Sequence, residues 1–265
     1  MKPLHALSAL SVALLLSACG GDGEATQSLG PDPKLPTPER GLLPSMKIAQ
    51  PAQWGQQTPN VPEGYRITAI ATDLKIPRQS LVLPNGDILV AEGRGGSAAQ
   101  LKPKDVIASQ IKAKGNTQVK GGNRLTLLRD ADGDGTYELQ TVFAENLNAP
   151  YGLAFANGKL YVANQDALVR FDYQDGQTKA DGPPTKVTDL PGEINHHWTK
   201  ALTISPDGRY LYVGIGSNSN ITERGMEAEL DRARVWQVDA ATGAHKPYAT
   251  GLRLSLIHIS EPTRQ

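Results

Sequence analysis

Three stretches of this chain can be laid over one another, each reading as a strand, a tight turn and a second strand. They are LVLPNGDILVA at residues 81–91, LAFANGKLYVA at 153–163 and LTISPDGRYLYV at 202–213. Asn-Gly and Asp-Gly accept the positive φ that a short hairpin turn imposes. Two more strand-like runs follow the second hairpin, at 167–173 and 185–190, and two follow the third, at 233–238 and 247–252. Four antiparallel strands per unit, with units about fifty residues apart, is the pattern of propeller blades. The expected fold class is all-β: a β-propeller fragment of about three four-stranded blades, at residues 65–146, 147–190 and 191–253. The 27 glycines and 19 prolines, gathered between short apolar runs, suit many strands joined by turns.

The first unit is longer than the others. Between Glu92 and Asn123 it carries an insertion with Lys102, Lys104, Lys112, Lys114 and Lys120. Propeller insertions become loops on one face, and this one reads as a solvated surface. The chain as a whole is balanced, with 27 basic and 27 acidic residues. That balance gives no electrostatic argument for binding nucleic acid or an anionic membrane surface.

The N-terminus reads as an export signal. Lys2 supplies a short positive region, and residues 6–18 form an apolar run ending in small residues, too short to span a bilayer. The single cysteine, Cys19, excludes an intrachain disulfide. Leu16-Ser17-Ala18-Cys19 resembles the bacterial lipobox, in which the chain is cleaved before the cysteine and the cysteine is lipidated; a plain secretory signal is the alternative. Residues 1–18 are then a signal peptide, and residues 19–53 a lipidated cysteine and flexible tether rich in Gly, Pro, Ser and Thr. The folded part would run from 54 to 253. Gly20 after the cysteine, by resemblance to Gram-negative lipoproteins, permits sorting to the outer membrane, facing the periplasm or the cell surface. At the other end, residues 254–264 (LSLIHISEPTR) resemble the translation of a sequencing-library adapter, so 254–265 are set aside from fold and site. A genuine divergent terminus is the other reading.

The stretch richest in chemistry is NHHWTKALTISPDG at 195–208, followed by YVGIGSNSN at 212–220. His197 falls where a loop enters the innermost strand of a blade, and innermost strands line the central channel. A histidine there can take a proton from a substrate hydroxyl, or can serve as a hydrogen-bonded structural residue.

This stretch resembles the Gly-His-Trp-Thr-Arg…Ser-Pro-Asp-Gly…Gly-Ser-x-Ser-Asn pattern of the glucose/sorbosone dehydrogenase family. The resemblance runs from about Tyr65 to Arg253 and includes NRLTLLRD at 123–130 and YVAN at 161–164. It implies a six-bladed propeller that binds pyrroloquinoline quinone and oxidises a sugar or a sugar-derived aldehyde or alcohol, with calcium helping to bind the quinone. His197 then falls on the family's general base, and Arg253, in ATGLR at 249–253, on an arginine that pairs with the quinone carboxylates. Asp87 falls near a polar channel position of the sugar-oxidising members; a turn acid in solvent is its other reading. Lys200 stands where the family often has arginine, which keeps a cation but not a bidentate fork. Ser217 stands where the soluble glucose dehydrogenases place an aspartate beside the histidine. The resemblance also implies that the segment at 249–253 continues with Asn-Pro, so the present chain is expected to be cut short, poorly stable and inactive by itself.

Asp130, Asp132 and Asp134 sit at positions one, three and five of a sequence resembling the first half of a calcium loop, with Gly135 at six. Thr141 stands where a bidentate glutamate belongs, and Glu138 offers a substitute. A Gly/Asp-rich hairpin turn is the competing reading. The chain lacks zinc-ligand spacing, a phosphate-cradling loop and a G-x-S-x-G nucleophile. Two other functions remain open: a non-catalytic, surface-anchored binding module, and a calcium-dependent lactonase-type propeller. The latter would need channel acids, for which Asp87 and Glu92 are the candidates.

Overall fold

A computed structural model describes residues 55, 57–95, 121–193, 197–219, 222 and 224–252. Cys19, the tether, the lysine-bearing insertion, Arg253 and the tail beyond it lie outside the described residues. Among the described residues no helix is long and apolar enough to cross a membrane.

The described strands form three four-stranded antiparallel sheets, each built from strands consecutive in sequence. The first holds β1 (Pro77–Val82), β2 (Ile88–Glu92), β3 (Arg124–Arg129) and β4 (Leu139–Ala144). The second holds β5 (Gly152–Ala156), β6 (Lys159–Ala163), β7 (Ala167–Asp172) and β8 (Thr185–Asp189). The third holds β9 (Lys200–Ile204), β10 (Tyr210–Ile215), β11 (Arg234–Asp239) and β12 (His245–Thr250), with a one-turn 3-10 helix, Met226–Glu229, between β10 and β11. The three repeated segments are the first two strands of each sheet. At the second of them Asn157 and Gly158 both take positive φ, 52° and 69°, as a two-residue turn between twisted strands requires.

The sheets pack face to face, and the middle one is buried on both sides. Leu160 and Val162 of β6 pack with Leu89, Leu125, Leu127 and Phe143 of the first sheet. The intervening Tyr161 and Ala163 pack with Leu202, Leu211, Val213 and Trp236 of the third. A strand's side chains alternate between faces, so one short strand feeds two separate cores. In each sheet the register between third and fourth strands shifts, at Leu125/Thr126, Leu168/Val169 and Val235/Trp236. A bulge recurring at one place adds twist to every outer edge.

The first strands of the sheets approach one another at their N-terminal ends. The backbone N–H of Leu153 in β5 donates to Gln79 Oε1 of β1, at 3.3 Å. A β-carbon on Gly152 would lie 2.4 Å from the Lys200 carbonyl oxygen of β9, so only glycine lets β5 and β9 come this close. Sheets meeting along successive first strands make this all-β chain a three-bladed β-propeller fragment, with β1, β5 and β9 innermost.

Candidate active site

All three blades contribute to the face where the innermost strands begin. Arg78 of β1 lies over the ring of Trp198, with Cζ 5.0 Å from its centroid, and its Nε donates to the Gly93 carbonyl at 2.9 Å. Tyr151, just before β5, meets the same indole edge-on at 6.0 Å. Gly95, beyond β2, packs against Trp198 and Gln165. Trp198 itself precedes β9, so one aromatic ring joins the starts of three blades.

His197 sits beside it, half-buried. Its Nδ1 is 2.6 Å from the Ser217 carbonyl oxygen and 3.2 Å from Ser217 Oγ. A carbonyl only accepts, so Nδ1 carries the proton and donates. Ser217 Oγ donates onward to the Ser219 carbonyl at 2.9 Å, which turns a lone pair toward the imidazole. In the neutral ring this placement makes Nε2 the acceptor, as a general base for a hydroxyl proton requires. His197 and Ser217 are thus in contact, mainly through the serine backbone.

Lys200 lies underneath. Its side chain is 0% exposed, and Nζ donates to the Trp198 carbonyl at 3.0 Å. Burial pushes the Lys200 ammonium down to about 7; the Arg232 charge adds to the effect and Asp166 offsets part of it. The structure therefore places this cation beneath the loop that carries His197 rather than on its surface.

Asp87 is not part of this group. It precedes β2, at the C-terminal end of β1, where its carboxylate accepts from Arg129 Nη2 at 2.6 Å and Nε at 2.8 Å, and from Asn85 at 2.9 Å. A six-residue strand separates the two ends by roughly 17–20 Å. Burial by itself would raise the Asp87 carboxyl, but hydrogen bonds from Arg129 and Asn85 and the Arg129 charge hold it below the usual carboxylate range.

Glu92 does lie at the site end, at the last position of β2, but is 0% exposed. It accepts from Arg124 Nε at 2.8 Å, from Thr126 Oγ1 and from the backbone N–H of Lys75. Burial opposes its ionisation, and these donors with the Arg124 charge outweigh it, keeping the carboxyl low.

Asp130, Asp132, Asp134 and Glu138 each place an oxygen within 4.8 Å of the others, in the turn between β3 and β4. The turn is also hydrogen-bonded internally, since Asp130 accepts from the N–H of Gly133 at 2.7 Å and of Gly135 at 2.8 Å.

Nothing in the sequence by itself assigns a role to Arg78, Tyr151, Trp198 or Asn164. Trp198 was visible in the motif beside His197, but its neighbours come from distant blades. Asn164, the residue after β6, is buried, and its Oδ1 has no hydrogen-bond partner among the described residues. An orphaned buried acceptor is uncommon and calls for a donor from water or a ligand.

A propeller fragment with a histidine fixed beside the start of an innermost strand is thus the class of protein that fold and site define. The chain belongs to the family described as "Domain of unknown function (DUF7133)", matched over residues 56–252. No curated protein matches it. Among solved structures it is similar to the holo pyranose dehydrogenase PQQ domain from Coprinopsis cinerea, with 18% identity and a TM-score of 0.50, over 68% of this chain and 37% of that one. It is also similar to the calcium structure of a Trichoderma reesei carbohydrate-active enzyme of family AA12, with 18% identity and a TM-score of 0.49, over 75% and 42%. The PQQ-bound aldose sugar dehydrogenase from Streptomyces coelicolor matches at 15% identity and a TM-score of 0.40, over 65% and 47%. The chain spans about two fifths of the length of these proteins, and the likeness to the pyranose dehydrogenase domain is one of fold.

Proposed function

We propose that the full-length protein oxidises a sugar, or a sugar-derived aldehyde or alcohol, by hydride transfer to pyrroloquinoline quinone. The single observation that carries this reading is the setting of His197, whose Nδ1 is turned onto the Ser217 carbonyl at 2.6 Å. The pyranose dehydrogenase domain that shares the fold supports the choice of reaction, and DUF7133 membership leaves it open, since fold alone does not give function.

The residues present suit the quinone. Its carboxylates call for guanidinium or ammonium donors, for which Arg78 is the candidate among the described residues; Arg253, which the resemblance implies, lies outside them. Trp198 offers an aromatic surface, and the unsatisfied Asn164 Oδ1 offers an acceptor. When bound, the quinone supplies the two-electron acceptor. His197 Nε2 takes the substrate hydroxyl proton, while Ser217 steadies the imidazolium that results. Calcium in this reading falls to Asp130, Asp132, Asp134 and Glu138, an outer turn where it would stiffen the blade. The enzyme would act in the periplasm, tethered to the outer membrane through lipidated Cys19.

The lactonase alternative finds less support, because Asp87 and Glu92 are both engaged by arginines. The test is quinone-dependent dye reduction by the full-length protein and by His197→Ala, with an expected loss of about a hundredfold or more. Equal rates remove the base from His197. Titration with the quinone separates this reading from a non-catalytic binding module, which would bind none at micromolar concentration.

A further inference from the structure

The connection between β10 and β11 supplies two side chains, Glu229 and Arg232, that bind segments lying before and after His197 in the sequence. From the 3-10 helix, Glu229 Oε2 accepts from the backbone N–H of Asn218 at 2.7 Å, and Oε1 accepts from Ser219 Oγ. Three residues on, the buried Arg232 donates to the carbonyls of Pro191 and Glu193, each at 3.0 Å. Residues 218–219 adjoin Ser217, the partner of the imidazole, and 191–193 lead toward His197 in the chain. The links are continuous: Glu229 fixes Ser219, the Ser219 carbonyl takes the Ser217 hydroxyl, and Ser217 takes Nδ1–H of His197.

We propose that Glu229 is the positioning carboxylate of this site, acting on His197 through Ser219 and Ser217. This inference rests on the reading of His197 as a base, and it adds a residue to that site. A carboxylate that accepts from two donors at once sets the path of the 217–219 backbone. The direction of the Ser217 carbonyl then decides which imidazole nitrogen carries the proton. The site thus gains the orienting anion that position 217, a serine, does not provide directly. Arg232 holds the other side, and the nearby Glu229 charge opposes the effect of burial on its guanidinium.

The experiment reads the imidazole itself. The full chain, labelled with ¹⁵N at histidine, is examined by long-range ¹H–¹⁵N correlation, with the His197 signals assigned by their loss in His197→Gln. The wild type is expected to show one tautomer, protonated at Nδ1. Glu229→Ala and Ser219→Ala are expected to show both tautomers in exchange, and Glu229→Gln, which keeps one acceptor, a smaller mixture. Should Glu229→Ala not fold, the isosteric Glu229→Gln and the small change Ser219→Ala still provide the spectrum. A single Nδ1–H tautomer retained in every folded variant overturns the proposal. In quinone-dependent dye reduction, Glu229→Ala is expected to lower kcat about ten- to hundredfold with KM little changed, as misalignment of a base does. A wild type with no such activity would remove the dehydrogenase reading, and the tautomer measurement would still decide the role of Glu229.

Discussion

Gly152 and Lys200 lie so close that a β-carbon on the first would sit 2.4 Å from the carbonyl oxygen of the second. This contact sets the spacing of β5 and β9, and with it the position of the loop that carries His197. Gly152→Ala must push the second and third blades apart or distort one of them. The expected cost is about 1–3 kcal/mol, as for overpacking elsewhere, read as a lower urea midpoint of the full-length protein.

Lys200 makes stability depend on pH on the alkaline side. Its folded value, about 7, lies below the ordinary lysine value of 10.5, so between those limits the unfolded chain binds more protons than the folded one. Stability attributable to this group therefore rises as the pH climbs from about 7 toward 10, because the burial penalty on the charge is relieved. Lys200→Met carries no such group. The difference in urea midpoint between wild type and Lys200→Met, followed from pH 6 to 10, is expected to shift toward the wild type; a flat difference would contradict the buried charge.

On the acid side the sign reverses. Asp87 and Glu92 have folded values below their unfolded ones, so the stability they contribute is complete above the ordinary carboxylate range and is lost as pH falls through the folded values. Asp87→Asn is expected to cost about 1–3 kcal/mol at neutral pH through the loss of a charged acceptor for Arg129. It should also flatten part of the decline in stability below about pH 4. Thermal melts of both proteins across pH 3–7 check both statements.

The Asp130–Glu138 turn is expected to hold calcium weakly, with Kd of about 10⁻⁴–10⁻³ M. At 10 mM calcium that binding would stabilise the full-length protein by about 1.4–2.7 kcal/mol. Asp132→Ala should abolish the gain in melting temperature. Magnesium, which demands a tighter and more regular shell, should not reproduce it.

The hairpins were legible in the chain because their turns are chemically distinctive: Asn157-Gly158 takes the two positive φ angles that its sequence advertises. The two-sided burial of β6 was legible only as an unbroken apolar run, since the 160/162 and 161/163 pairs differ in partner rather than in polarity. At the site, the His197–Ser217 pairing follows from a motif contained in one blade. The contributions of Arg78 and Tyr151 do not, because they reach Trp198 from other blades across long stretches of sequence. Glu229 and Arg232 lie in a connection without periodicity, where no pattern separates a clamp from a surface charge. Asp87 shows the opposite difficulty: its local setting suited a channel or a turn, and only the register of β1 and β2 places it at the end away from His197.

The alternation along β6 limits how the middle blade can change. Neither side of residues 160–163 is open to water, so a hydrophilic replacement at any of the four opens one joint or the other. Val82 and Tyr248, on the outward sides of the first and third blades, are 65% and 64% exposed and carry no such constraint within these three blades. Mutational freedom should therefore be unevenly shared, with the central sheet acting as the fixed hinge-post against which both neighbours are hung.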